Sequence, residues 1–188
     1  MHKFFLKKYC FIDSFQPNLI KCQHKSTTFI YRNYKNKFNI KEIIRIKNFI
    51  KFHGYKFILS NNVKLALKLD LDGAYLPSFN NNFHHLSYSY KNKFELIGSV
   101  HNLREINVKK KQKINNFFLS SIFKNNKNYL GINRFKLLIK NKKLNFIALG
   151  GIEEKNIKKL KLLSIKGFAG ISYFKKKAPH KEGPKYNN

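Results

Sequence analysis

Small and polar residues follow the apolar segments of this chain one after another. They are Asp13, Arg32, Lys35, Ser60, Asn61, Asn80, Ser99, His101, Ser120, Ser121, Gly150, Gly151 and Ser172. Hydroxyl, amide, guanidinium and ammonium groups hold phosphate oxygens through hydrogen bonds. Each residue is also a common loop former, so none is informative by itself. Their repetition at one end of successive segments favours a single binding site.

Two glycine-containing turns in the last third of the chain indicate anion binding. The first is Leu149-Gly150-Gly151-Ile152, and the second runs from Gly167 through Gly170 to Ser172. Glycine lets backbone amides approach a ligand closely, as phosphate-binding turns require.

The residues that most often bind metals are sparse. His84 and His85 are adjacent in a polar segment, with no third ligand evident nearby. Cys10 and Cys22 match no metal-binding spacing, and we interpret them as reduced thiols. No metal site is predicted from these residues.

The elements that position the polar residues alternate in type. Short apolar runs predict eight strands, over residues 9–12, 27–31, 55–59, 73–76, 94–97, 117–119, 144–149 and 168–174. Helical periodicity predicts helices over residues 40–50, 63–69, 103–113, 132–140 and 157–163. Asn39 is expected to cap the first of these helices, and Gly54 to end it. Residues 78–93 are predicted to form a polar loop.

Strands that alternate with helices predict an α/β fold with a parallel sheet, and eight strands are the number that closes a (β/α)₈ TIM barrel. An open, doubly wound sheet is the main rival. In a barrel, the polar residues would meet at the carboxyl ends of the strands. The glycine turns would follow strands seven and eight, where phosphate commonly binds.

The chain length of 188 residues fits one domain. It is short for a barrel of about 250 residues, and too little apolar sequence follows Phe174 for a last outer helix. We therefore expect a shortened barrel over residues 1–176 and an extended or disordered basic tail over 177–188. A second copy of the chain could cover the exposed wall, so a homo-oligomer is one expectation.

The formal net charge of +30 is the most prominent feature of the composition. Lysine and asparagine are spread along the whole chain, and only four arginines occur. Nucleic-acid-binding proteins cluster their charge, whereas A/T-rich codons explain this even spread, so no specific nucleic-acid partner is predicted. A basic field would still attract phosphorylated substrates.

Membrane spans need about 20 consecutive apolar residues, and no run in the chain approaches that length. The first eight residues hold too short an apolar stretch for a signal peptide. The expected location is the cytoplasm, without a membrane partner.

Several segments resemble, in chain order, motifs of the thiamine phosphate synthase/TenI family. Residues 71–76, LDGAYL, are similar to the family's ADGVHL, and residues 97–102, IGSVHN, with Glu105, to its IG-S-x-H-x-x-x-E. Residues 118–123, FLSSIF, resemble FLSPVF, residues 147–152, IALGGI, resemble AIGGI, and residues 167–172, GFAGIS, resemble GADGVAVIS. Arg32 and Lys35 stand near its Q-x-R-x-K with different spacing. The ordered set covers roughly residues 9–174.

The resemblance implies thiamine biosynthesis. Enzymes of this family couple hydroxymethylpyrimidine diphosphate with thiazole phosphate, giving thiamine phosphate and diphosphate with the help of Mg²⁺. The resemblance gives Arg32, Lys35, Ser99 and His101 catalytic roles. It implies substrate binding by Ser60, Asn61, Ser120, Asn125, Gly150, Gly151, Gly170 and Ser172.

The sequence departs from the family pattern where Mg²⁺ would bind. Asn61 and Asn80 occupy the positions of the two metal-binding aspartates, and an amide is a weaker ligand than a carboxylate. Two alternatives therefore stay open. One is a TenI-like thiazole tautomerase, with His101 as the candidate acid–base group, or a non-catalytic protein that binds thiazole phosphate or thiamine phosphate. The other is a basic nucleic-acid-binding protein.

Overall fold

Eight parallel strands close into a barrel in the order in which they occur along the chain. This computed structural model describes residues 6–34, 39–140 and 143–176, and all counts refer to that part. The strands are β1 (Lys7–Ile12), β2 (Thr27–Tyr31), β3 (Lys56–Ser60), β4 (Gly73–Leu76), β5 (Glu95–Val100), β6 (Asn116–Ser120), β7 (Asn145–Leu149) and β8 (Gly167–Gly170). The first and last strands pair, with Lys7 opposite Gly167. The predicted barrel is confirmed, and the open sheet is excluded.

The helices lie outside the barrel, six of them between successive strands and the seventh after β8. They are α1 (Pro17–Lys21), α2 (Ile40–Phe52), α3 (Val63–Lys68), α4 (Leu103–Lys111), α5 (Gly131–Leu138), α6 (Ile157–Leu160) and α7 (Ser172–Lys175). Asn39 caps α2 by accepting a hydrogen bond from the backbone of Glu42, as predicted. Gly54, with a φ of 71°, follows the end of α2. Helix α1 was not predicted, because its five residues are too few to show helical periodicity; it begins at Pro17, a residue favoured at the first helical position.

The eighth strand is shorter than predicted. It ends at Gly170, and the chain then turns into α7, so the strand prediction for residues 171–174 is wrong. Tyr173 and Phe174 are both buried and both pack on Phe168, with ring centroids 5.0 and 6.1 Å away. Successive side chains of a strand point to opposite faces, so a helical turn is what places both rings on Phe168. This single turn is all that the described residues contain of a last outer helix.

The connection between β4 and β5 contains a 3₁₀ turn, His84–Ser87, and no α-helix. Residues 77–94 are otherwise turns and irregular chain, as the predicted polar loop implied. Buried backbone outside a helix needs hydrogen-bond partners from elsewhere in the fold.

The barrel interior is filled with aromatic rings. The rings of Phe11, Tyr75 and Phe118 pack against one another with centroids 5.5–5.6 Å apart. Tyr9 packs edge-on to Phe118 at 5.2 Å, and its hydroxyl donates to Glu95 at 2.9 Å. These rings fill the interior of the barrel, which is therefore a packed core rather than a channel.

The predicted tail, residues 177–188, lies outside the described residues. None of the helices in the described part is long and apolar enough to cross a membrane.

Candidate ligand-binding site

Arg32 lies across the mouth of the barrel, just after β2. Its guanidinium carbon is 4.4 Å from the centroid of the Phe11 ring, a cation–π contact. Burial raises the pKa of the neighbouring Tyr75 hydroxyl, although Ser99 and Arg32 act in the opposite direction. Tyr75 therefore stays neutral near pH 7, and it keeps a proton to donate beside the Arg32 cation.

A small cavity of about 80 Å³ opens next to Arg32. Asp13, Ile171 and Lys175 are among its lining residues, so it joins the ends of β1, β2 and β8. Arg32 and Lys175 give it two cationic groups. Lys35, the other cation predicted at this end, lies outside the described residues.

Tyr34 is a rim residue that the sequence analysis missed. Its hydroxyl shares a hydrogen bond of 2.9 Å with Oγ of Ser60, which is buried at the end of β3. Its ring packs edge-on to Phe79, with centroids 5.7 Å apart. Burial raises the pKa of Tyr34 to about 12. Tyr34 thus connects the loops after β2 and β4 with the end of β3.

Asn61 and Asn80 contact each other directly. Nδ2 of Asn80 donates to Oδ1 of Asn61 at 2.7 Å, and Oδ1 of Asn80 accepts from the backbone of Asn82 at 3.1 Å. Both asparagines line a cavity of about 160 Å³ at the ends of β3 and β4. The structure therefore brings the two residues together, as their places in the motifs implied.

Ser99 and His101 end the fifth strand and begin the next loop. The buried Oγ of Ser99 accepts from the backbone of Ser78 at 2.9 Å, which fixes the start of the loop after β4. Nδ1 of His101 lies 2.9 Å from a carboxylate oxygen of Glu105, and the His101 amide donates to the same oxygen. Glu105 thus orients the imidazole, and no described residue is hydrogen-bonded to Nε2.

Gly150 and Gly151 follow β7 with φ angles of 102° and 72°. A Cβ on Gly150 would clash with Oγ of Ser121, and one on Gly151 would lie 2.5 Å from the backbone nitrogen of Lys124. The two glycines are therefore required for packing against the loop after β6, a reason for the motif that does not involve a ligand.

The end of β8 is more open. A Cβ on Gly170 would meet no heavy atom of the described residues within 4 Å, and Ser172 is exposed at the first turn of α7. Ser120 is buried at the end of β6, whereas Asn125 is exposed in the loop that follows. The predicted residues thus share one end of the barrel but differ in their access to a ligand.

The residues at the family's metal positions fit Mg²⁺ poorly. Among the described residues, no group of three or more His, Cys, Asp or Glu side chains is arranged to hold a metal ion. The side-chain oxygens of Asn61 and Asn80 already accept N–H donors. Because Mg²⁺ prefers carboxylate and phosphate oxygens in near-octahedral geometry, the two amides are a poor site for it.

The closed barrel and the polar residues at its carboxyl rim define the class: a (β/α)₈ barrel with its candidate site at the strand ends. The family model described as thiamine monophosphate synthase matches residues 19–174. This chain belongs to that family, which confirms the resemblance seen in the motifs.

Solved structures show the same fold. A thiamine phosphate pyrophosphorylase from Pyrococcus furiosus is 18% identical, with a TM-score of 0.70 over 88% of this chain and 85% of that one. The citrate synthase SbnG is 8% identical, with a TM-score of 0.63 over 90% of this chain and 88% of that one. At these identities the similarity establishes the fold alone. No curated protein matches the chain.

Proposed function

We propose that this protein acts in thiamine biosynthesis, coupling hydroxymethylpyrimidine diphosphate with thiazole phosphate to give thiamine phosphate and diphosphate. The observation that carries the proposal is the family match over residues 19–174, the segment that supplies Arg32, Tyr75 and Ser99 at the mouth of the barrel.

The reaction breaks the bond between the pyrimidine methylene carbon and the diphosphate oxygen, and it forms a bond from that carbon to the thiazole nitrogen. Negative charge develops on the departing diphosphate, so fixed cations near it lower the barrier. Arg32 and Lys175 line the same cavity and supply two positive charges, which the carboxylate of Asp13 offsets in part. The neutral hydroxyl of Tyr75 is the adjacent donor, and Ser99 holds the loop beside it.

The thiazole phosphate would occupy the opposite side of the mouth. The open space at Gly170 and the exposed Ser172 favour this place, and phosphate commonly binds after strands seven and eight of such barrels. Gly150 and Gly151 would shape this side through their packing on the loop after β6.

The test is a coupling assay with the purified full chain and both precursors, followed by chromatography of thiamine phosphate. Arg32→Gln should lower the rate by about 100-fold, because it removes a charge that stabilises the leaving group. Arg45→Gln is the matched control, since Arg45 also stacks on an aromatic ring, Phe15, but on the outside of the barrel. A folded protein that forms no product under any condition would overturn the proposal.

The His101–Glu105 pair favours a second candidate, a TenI-like isomerisation of a thiazole phosphate tautomer. Such a reaction moves one proton off carbon or nitrogen and returns one elsewhere, so it needs an oriented acid–base group and no diphosphate clamp. The carboxylate of Glu105 orients His101 in this way. His101→Asn should abolish tautomer exchange with bound thiazole phosphate, and unchanged exchange would exclude His101.

A further inference from the structure

Side chains of α4 and of the residue that follows it donate hydrogen bonds to the irregular connection between β4 and β5. Nζ of Lys109 donates to the backbone carbonyl of Asn80 at 2.6 Å, and Nε2 of Gln112 donates to the same carbonyl at 3.1 Å. Gln112 also donates to the carbonyl of Asn82 at 2.6 Å. An α-helix would satisfy such carbonyls internally, so these donors replace the helix that the connection lacks.

Lys109 is buried to an unusual degree for a lysine. Its exposed fraction is 0%, and a Cβ on Gly98 would lie 3.1 Å from its stem, so the stem packs directly on β5. A buried ammonium is stable only with hydrogen-bond partners. Here the ammonium donates to the carbonyl of Asn80, one of the two residues at the family's metal positions.

Three of the four asparagine side-chain oxygens at the neighbouring cavity already accept a hydrogen bond. The cavity of about 160 Å³ is lined by Asn61, Asn62, Asn80, Asn82 and Lys64 among others, and no carboxylate is among its described lining residues. The side-chain oxygens of Asn61, Asn62 and Asn80 accept from Asn80, from the backbone of Leu65 and from the backbone of Asn82.

The two histidines of this cavity do not complete a metal site. Nε2 of His85 lies 2.9 Å from the carbonyl oxygen of Gln112, and its Nδ1 is buried without a partner among the described residues. His84 is exposed. Two imidazoles without a carboxylate are poor ligands for Mg²⁺ or Mn²⁺.

We infer that this cavity excludes Mg²⁺ and Mn²⁺, so that the protein binds its phosphorylated ligand without a divalent metal. Two observations support the inference independently. The amide pair offers no carboxylate, and each of its side-chain oxygens already accepts an N–H donor, Asn61 from Asn80 and Asn80 from the backbone of Asn82. The buried Lys109 ammonium, fixed on the carbonyl of Asn80, repels a second cation at short range.

The direct test is a titration of the full chain with Mn²⁺ alone, followed by electron paramagnetic resonance of the free ion. We expect a Kd weaker than about 1 mM, in the range of the weakest protein sites for hard cations. Tight binding by the unmodified protein that is lost in Asn61→Ala would overturn the inference.

A variant designed to gain metal binding tests whether the two amides are the reason that the cavity excludes the ion. The double variant Asn61→Asp/Asn80→Asp should bind Mn²⁺ at least about tenfold more tightly, since it restores two carboxylates. Asn81→Asp/Asn107→Asp adds the same charge at exposed positions outside the cavity and should leave Mn²⁺ binding unchanged. Equal affinity in the two double variants would overturn the assignment to the amide pair.

Lys109→Met in the Asn61→Asp/Asn80→Asp background tests the buried charge. The methionine keeps most of the packing on Gly98 and removes the ammonium, so Mn²⁺ affinity should rise again. Affinity that stays the same in a variant with unchanged circular dichroism would overturn the electrostatic part of the inference.

A second experiment, which measures ligand binding, rests on the proposed function. Thiamine phosphate should bind the unmodified protein with affinities that differ by less than about twofold between EDTA and saturating Mg²⁺. A strict Mg²⁺ requirement would overturn the inference. Absence of thiamine phosphate binding under both conditions would contradict the proposed function instead, and the Mn²⁺ titration would still decide the inference.

Discussion

Single hydrogen bonds join the loops at the mouth of the barrel, and Tyr34 makes one of them. Its hydroxyl reaches the buried Ser60, while its ring rests on Phe79. Half of the side chain is exposed, so little of the folding free energy depends on it. Tyr34 should instead hold the loops in position around a ligand.

Tyr34→Phe should therefore weaken thiamine phosphate binding about three- to tenfold, the usual value of one hydrogen bond, with little change in the free energy of unfolding. Calorimetry and urea denaturation measure the two quantities. Tyr129→Phe, at another exposed tyrosine, is the control. Equal losses of affinity in both variants would show that Tyr34 has no specific role.

Sequence reasoning predicted which residues lie at the strand ends better than it predicted their contacts. Arg32, Asn61, Ser99 and Gly170 were predicted there because they follow apolar segments or match motifs. The Asn61–Asn80 hydrogen bond was not foreseen, since pairing across two loops depends on backbone geometry. The only sequence feature that could have indicated Tyr34 is that it is an aromatic residue two positions after Arg32.

The turn after β7 requires glycine because its backbone packs closely against the loop after β6. Gly150→Ala should destabilise the protein by about 2–4 kcal/mol, because it adds a clash with Ser121 to an unfavourable positive φ. Gly54→Ala has a similar φ of 71° but meets no described heavy atom within 4 Å, so it should cost about 1 kcal/mol. Urea denaturation compares the two, and equal losses would contradict the clash.

The hydrogen bond from Lys109 of α4 to the β4–β5 connection should affect how the free energy of unfolding depends on pH. Burial lowers the pKa of Lys109 to about 8, although Glu105 opposes the shift. Between about pH 8 and the unfolded value near 10.4, the unfolded chain binds more protons, so the free energy of unfolding rises with pH.

Relative to Lys109→Met, the unmodified protein should therefore gain about 1–2 kcal/mol of stability between pH 8 and pH 10. The comparison removes the contribution of the many exposed lysines, which both proteins share. Denaturant titrations across this range measure the difference. Parallel pH profiles would show that Lys109 has an ordinary pKa.

Most elements could be predicted because apolar runs and caps are local signals. All eight strands, the Asn39 cap and the polar loop after β4 were found in this way. The end of β8 was not, because the apolar residues at 171–174 fit a strand or a helix equally well. The choice depends on packing against Phe168, which only the fold determines.

At the scale of the whole molecule, the charge of +30 is the dominant property. An even distribution of lysine predicts weak binding to any polyanion rather than to one sequence. Binding to duplex DNA should be lost between about 50 and 200 mM salt, without sequence preference. Fluorescence anisotropy with two unrelated duplexes measures this, and sequence-specific binding that survives at the higher salt would favour a nucleic-acid function.

We propose that the carboxyl rim of this barrel binds the phosphorylated product of thiamine phosphate synthesis. A crystal structure with thiamine phosphate, grown in EDTA, tests it most directly. We expect the phosphate beside Gly170 and Ser172 and the pyrimidine toward Arg32 and Tyr75. Thiamine phosphate bound elsewhere on the protein, or no bound ligand at saturating concentration, would contradict the claim.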